Sequence, residues 1–166
     1  SARDKWGHYD RPAGATGFGR VYLPNSQYHF PDGINPEGNM ACRASSRGSD
    51  GVSRPEGLAI LLTEPFDPSA TYELSVAVGR PHEVNPPNPN NYTDANWRGY
   101  LVQLVVGGEV ESNGTNGDNA FGGTVIAEDA NSLVIARRTW ETSTLTVNAG
   151  SGFDELAGQP LQIRLL

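Results

Sequence analysis

TYELSVAV, residues 71–78, alternates strictly: Tyr72, Leu74, Val76 and Val78 fall on one face of an extended chain, and Glu73, Ser75 and Ala77 on the other. One face belongs to a core and the other is wet or thinly covered. Downstream, GYLVQLVV at 99–106 is apolar on both faces except at Gln103, which predicts a central strand covered on both sides. Further period-two runs predict strands at Gly19–Leu23, Gly38–Arg43, Gly57–Thr63, Thr124–Ala127, Thr139–Val147 and Leu161–Leu165. No convincing helical period appears anywhere. The turn signals Val106-Gly107-Gly108, Asn113-Gly114 and Gly150-Ser151-Gly152 separate the runs. The pattern predicts an all-β, antiparallel, jelly-roll-like β-sandwich of about eight strands with little or no helix, a parallel α/β sheet needing intervening helices.

Bulk properties agree with that reading. A chain of 166 residues suits one domain, 1–166, and is long enough to bury a real core. Twenty glycines and twelve prolines predict many turns, yet stay below the fraction that marks low-complexity disorder. A formal charge of −7 repels phosphate backbones and anionic lipid surfaces, so nucleic acid is not an expected partner. No apolar run is long enough for membrane insertion. Cys42 is the only cysteine, which excludes an internal disulfide and leaves the compartment undecided. The start at Ser1, without an initiator Met, suits a mature exported chain.

Two segments interrupt the strands. Residues 80–98, RPHEVNPPNPNNYTDANWR, are so rich in proline that no strand can continue through them. Residues 111–123, ESNGTNGDNAFGG, are rich in Asn and Gly, which tolerate positive φ, and predict a loop. The first carries Tyr92 and Trp97 and ends beside Tyr100; with Trp6 near the start, these rings offer apolar faces with polar tips that suit ligand stacking. Trp97 and Tyr100 folding back over the sandwich edge is the structural alternative. In the second segment Asn116, Asp118 and Asn119, with Asn113 nearby, supply hard oxygen donors, and calcium is the metal they would suit. The EF-hand pattern is absent, and turn formation explains the same residues.

Chemistry of other kinds finds little support. Ser53, in GVSRP, lacks the G-x-S-x-G turn of a nucleophile. Cys42 alternates with Met40 and Ala44 as a core thiol would. His8, His29 and His82 show no metal-motif spacing, and nothing selects a catalytic pair from the carboxylates at Glu64, Asp67, Asp94, Asp118, Asp129 and Asp154.

The blocks VYLPNSQYHFPDGINPEGNMACRA at 21–44, TYELSVAVGR, GYLVQLVVGGEV and GQPLQIRLL resemble, in that order, secreted bacterial β-sandwich modules of extracellular and surface proteins, similar in outline to carbohydrate-binding modules. The resemblance implies a jelly-roll-like fold and a secreted or cell-surface location. The chain departs from such modules in the length of residues 81–98. It also departs in lacking a strand after the segment matching Leu161–Leu165. An unsealed last seam would be a template for another chain. The expectation is therefore a non-catalytic, self-assembling subunit of an extracellular filament, sheath or surface layer. Its homopolymer contacts would lie at Ser1, Ala2, Arg3, Leu165 and Leu166. The alternative is a carbohydrate-binding module gripping polysaccharide through Tyr92, Trp97, Tyr100 and Trp6. Neither reading requires a cofactor.

Overall fold

A computed structural model describes the backbone of residues 6–9, 20–22, 41–43, 57–80, 99–112, 118–137 and 139–166. Within these it describes the side chains of residues 58–62, 64–80, 99–109, 122–137 and 139–166. The described residues form eleven strands: β1 Trp6–Tyr9, β2 Arg20–Tyr22, β3 Ala41–Arg43, β4 Gly57–Pro65, β5 Tyr72–Gly79, β6 Leu101–Val106, β7 Glu109–Ser112, β8 Asp118–Phe121, β9 Thr124–Ala130, β10 Trp140–Val147 and β11 Pro160–Leu165. A single 3-10 turn at Asp154–Leu156 is the helical content among them. The protein is an all-β sandwich, and no described helix is long and apolar enough to cross a membrane.

One sheet has the order β7-β8-β1-β4-β11-β6-β9, and β10 pairs with β5 in the other; β2 and β3 form a separate antiparallel pair. Pairing is antiparallel except between β1 and β8. The path β4 to β5 to β6, and again β9 to β10 to β11, crosses between the sheets at every step, which is jelly-roll order. Val102, Leu104 and Val106 on β6 and Leu161 on β11 meet Leu145 and Val147 on β10 in the core, with Tyr72, Leu74, Val76 and Val78 of β5 packed beside them. The side chains that TYELSVAV predicts to share the inner face therefore do so. Removing these groups from water is the principal favourable term for the fold.

The large sheet is closed on its second face as well. There Ala59, Arg164 and Gln103 stand in register across β4, β11 and β6, next to Gln162 and Val105, and all five are buried. Gln162 Nε2 donates to Gly107 O at 2.7 Å and Gln103 Nε2 to Glu128 Oε2 at 2.9 Å. Arg164 Nη2 donates to Gly122 O and to Gln162 Oε1. A buried polar layer is tolerable because it is hydrogen-bonded. Both faces of 101–106 are covered, as the sequence predicts.

Two expectations need correction. The last strand is no unsealed seam: β11 lies between β4 and β6, with Leu165 opposite Leu58 and Val102. Beyond it Leu166 exchanges hydrogen bonds with Leu101, N to O at 2.8 Å and the reverse at 2.9 Å. Its backbone groups are already paired, so the end of this chain offers no open template. Residues 111–123 are not one loop, since β7 and β8 pair antiparallel through Glu109–Ser112 and Asp118–Phe121. The sandwich expected is present with all eight predicted strands, and β1, β7 and β8 stand beside them. β1 bridges β4 and β8, a tertiary pairing that local pattern cannot announce.

Gly123 shows how tightly β9 enters the sheet. Its φ is +85°, and a Cβ there would lie 2.8 Å from Val105 Cγ1 and 2.9 Å from Gly107 O. Gly123→Ala is expected to cost about 2–3 kcal/mol, from the left-handed backbone and the overlap together, measured as a lowered urea midpoint. An unchanged midpoint would contradict the packing described at that turn.

Candidate functional site

The strand directions gather one set of loops at one end of the sandwich. β5 ends there at Gly79, β6 starts at Leu101, β9 ends at Ala130, β10 starts at Trp140 and β11 ends at Leu165. Residues 81–98 leave from Arg80 and return at Gly99, and residues 131–139 join β9 to β10 at the same end. Loops clustered on one end of a rigid sandwich are where such folds carry binding and chemistry.

A buried carboxylate organises this end. Asp129, near the end of β9, is 8% exposed and faces the space between the sheets. Its Oδ2 accepts the Tyr100 hydroxyl at 2.8 Å and the Ser143 hydroxyl from β10. Its Oδ1 accepts Ser132 N–H at 2.9 Å. The Tyr100 oxygen in turn accepts Leu133 N–H at 3.1 Å, and Asn131 Oδ1 accepts Tyr100 N–H at 2.5 Å. Asn131 sits at φ +58°, a conformation Asn tolerates better than most residues. Gly99, at φ +90°, leaves the room that the Asn131 amide occupies, since a Cβ on Gly99 would meet it. On the other root of 81–98, Arg80 N–H donates to Thr139 O at 3.1 Å and Arg80 Nη1 to Ile135 O at 3.3 Å. Both roots of that segment are therefore tied to the 131–139 loop.

The electrostatics follow from these bonds. Burial pushes the Asp129 carboxyl upward, but the donors from Ser143, Ser132 and Tyr100 outweigh it and hold the group down to about 2. At neutral pH it is ionised with its lone pairs engaged, so it has no proton to give and little capacity to take one. Its chemistry is to hold groups in place. On the opposite flank Asp67 is also lowered, by hydrogen bonds from the Ser69 hydroxyl and Ser69 N–H, and closes an ordinary exposed turn.

The residues singled out from sequence are distributed as follows. Tyr100 is 8% exposed, with its hydroxyl engaged by Asp129 and Leu133. Trp6 lies on β1 opposite Ile60. Asp118 and Asn119 lie on β8 opposite Ser112 and Glu111. Leu165 and Leu166 lie at the end of β11, against β6. Tyr92, Trp97, Asn116, Ser1, Ala2 and Arg3 fall outside the described residues. Among the described residues no group of three or more His, Cys, Asp or Glu stands together in a way that could hold a metal. Asp129, Asn131 and Ser143 were not distinguished by sequence reasoning. The available signal was the spacing of Asp129 and Ser132, where an acidic side chain caps a backbone N–H three residues on.

A protein-family model described as HpiC1-like, HpiC1 cyclase, matches residues 1–166. Among solved structures, a cyclase from Fischerella sp. TAU is similar with 26% identity and a TM-score of 0.64, over 97% of this chain and 74% of that one. The Stig cyclase Fisc from Fischerella sp. TAU, in complex with (3Z)-3-(1-methyl-2-pyrrolidinylidene)-3H-indole, shares 26% identity with a TM-score of 0.64 over 99% of this chain and 76% of that one. A Fischerella sp. TAU cyclase in complex with 4-(1H-indol-3-yl)butan-2-one shares 27% identity with a TM-score of 0.64, over 96% and 74%. No curated protein matches the sequence.

These matches overturn the non-catalytic reading. Both the filament or surface-layer subunit and the carbohydrate-binding module give way, because the model matching the full length is that of a cyclase family. The resemblance to secreted surface modules is corrected with them: jelly-roll order is shared by proteins of unrelated function, and fold pattern was all that carried it. Homopolymer and polysaccharide partners fall too, since the similar structures hold small indole compounds.

Proposed function

This chain belongs to the HpiC1-like cyclase family, and from that premise we propose that it closes a ring within an indole-bearing small molecule bound at the loop end of the sandwich. The observation that carries the reading is the family match over residues 1–166, joined to similar cyclases solved with indole compounds. Ring closure joins two parts of one molecule. The protein's contribution is then to hold the reacting ends in near-attack geometry and to exclude water, which is worth several kcal/mol of barrier. A rigid sandwich end with braced loops suits that task. Tyr92 and Trp97, on the segment rooted at Arg80 and Gly99, are the aromatic surfaces against which we place the indole ring. Asp129 is not the proton donor in this reading, because it is already ionised at neutral pH.

Calcium belongs to the proposal as an ion held by oxygens of Asn116 and Asp118, supported by the chemistry of those donors, whereas Asn119, the next residue along β8, falls on the other face of the strand. Calorimetric titration with 4-(1H-indol-3-yl)butan-2-one tests both parts. Saturable binding with a negative heat-capacity change is expected, and Trp97→Ala should weaken it about tenfold while leaving the melting temperature in place. Loss of binding in a calcium chelator, restored by added calcium, would support the ion. Absence of any binding at millimolar ligand would overturn the indole reading.

A further inference from the structure

We propose that a bulge in β9 at Ile126 decides which of two adjacent carboxylates, Asp129 or Glu128, faces the space between the sheets, and that Gln103 and Arg164 hold the strand in that register. The choice belongs to the sheet itself, with or without a ligand.

The strand's own sequence, TVIAEDA, specifies its register weakly, because beyond Ile126 it offers small alanines and a pair of acids instead of one apolar face. A one-residue slip along β6 would turn every side chain to the opposite face. The observed ladder is broken once: Val105 stands opposite Val125 and Leu104 opposite Ala127, so Ile126 is the extra residue of a bulge. Beyond it Gln103 meets Glu128, Val102 meets Asp129 and Leu101 meets Ala130. Val102 belongs to the core, so Asp129 points inward, where the Tyr100 and Ser143 hydroxyls donate to it. Had pairing run on unbroken from Val105 and Val125, Leu104 would meet Ile126, Gln103 would meet Ala127 and Val102 would meet Glu128. Glu128 would then be the acid between the sheets, and Asp129 would stand on the outer face. The bulge therefore selects the acid, and through Asp129 Oδ1 and Ser132 N–H it also sets the start of the 131–139 loop.

Two side chains on the outer face bracket the extra residue. Arg164 Nη2 donates to Gly122 O in the turn that opens β9, and Gln103 Nε2 donates at 2.9 Å to Glu128 Oε2, two residues past the bulge. Gly123 seats the same turn so closely against Val105 and Gly107 that a Cβ would overlap both. Between Val125 and Glu128 the strand takes three steps while β6 takes two, from Val105 to Gln103. With both ends of that span held, the surplus residue stays at Ile126, and Ile126 and Ala127 both pack against the core. β9 is the last strand of its sheet, a position where bulges concentrate and re-aim side chains.

Cross-strand Overhauser contacts in NMR distinguish the two registers, since Val102 lies opposite Asp129 in one and opposite Glu128 in the other. The unsubstituted chain is expected to show Asp129 there. Gln103→Met keeps the length of the side chain and removes its bond to Glu128, and Arg164→Met releases the turn at Gly122. Each is expected to raise the ratio of the slipped register to the observed one about tenfold, the worth of one hydrogen bond to a charged group. That brings the slipped form to about 1–10% of molecules, where chemical-exchange NMR detects a minor state. Deletion of Ile126 removes the surplus residue, so Val102 should stay opposite Asp129 with no minor register, in the parent and in Gln103→Met alike. The deletion serves as a test even where the substituted chains fail to fold. A deleted chain in which Val102 faced any residue other than Asp129 would overturn the bulge as the selector. A single register in both Gln103→Met and Arg164→Met, with no exchanging minor state, would overturn the hold assigned to those two side chains.

Discussion

Asp129→Ala is expected to lower stability by about 4 kcal/mol, the largest effect of any single substitution at the loop end, because it strands several buried donors at once. Tyr100 O–H, Ser143 O–H and Ser132 N–H all lose their acceptor, and the gap lies between the sheets where water cannot easily replace it. Asp129→Asn should recover only part of the loss, since its NH2 group turns a donor toward donors. The pH dependence carries a definite sign. A carboxyl held at about 2 when folded, against 3.8 ordinarily, contributes stability fully present above pH 4. That contribution, about 2 kcal/mol, disappears as pH falls from about 4 to about 2. Urea midpoints measured from pH 6 down to pH 2 should show the loss in the parent chain. The step should shrink in Asp129→Asn. A parent curve that matched the variant's would mean the carboxylate is not clamped as described.

Leu104→Ala should cost about 3 kcal/mol, set by transfer of the removed atoms and by the void they leave. Leu104 is 3% exposed on β6, opposite Ala127 and Ile163 in the neighbouring strands, and its side chain joins the cluster that spans both sheets. Leu61→Ala is the control, because Leu61 on β4 is 45% exposed and should cost well under about 1 kcal/mol. Both are read as urea midpoints at neutral pH. Equal losses at the two positions would contradict the placement of the core.

How far the sequence announced these features depends on whether the deciding interaction was local. TYELSVAV was legible because alternation is a property of the strand itself, and Tyr72, Leu74, Val76 and Val78 do pack beside the core. Residues 101–106 were legible for the same reason, their unbroken apolar run reporting cover on both faces. β8 was not: Asp118 and Asn119 are poor strand formers, and it is pairing with β7 and β1 that extends them. Gln162 and Arg164 on β11 are buried and donate to carbonyls at Gly107 and Gly122 in other elements, contacts that no local pattern announces. Asp129 lay just past the predicted end of its strand, and nothing near it in sequence revealed that Tyr100 and Ser143 would converge there. Function was hidden for a further reason. A jelly roll constrains core positions and turns, whereas the loop residues that distinguish a cyclase from a sugar binder obey no period.

Mapping 4-(1H-indol-3-yl)butan-2-one onto the protein by NMR amide shifts tests the location of the site most directly. Saturable shifts at Arg80, Gly99, Tyr100 and residues 131–135 are predicted. Shifts confined to the far end, around Gly107, Gly108, Gly122, Gly123 and Gln159, would contradict the account, as would a spectrum that the compound leaves untouched.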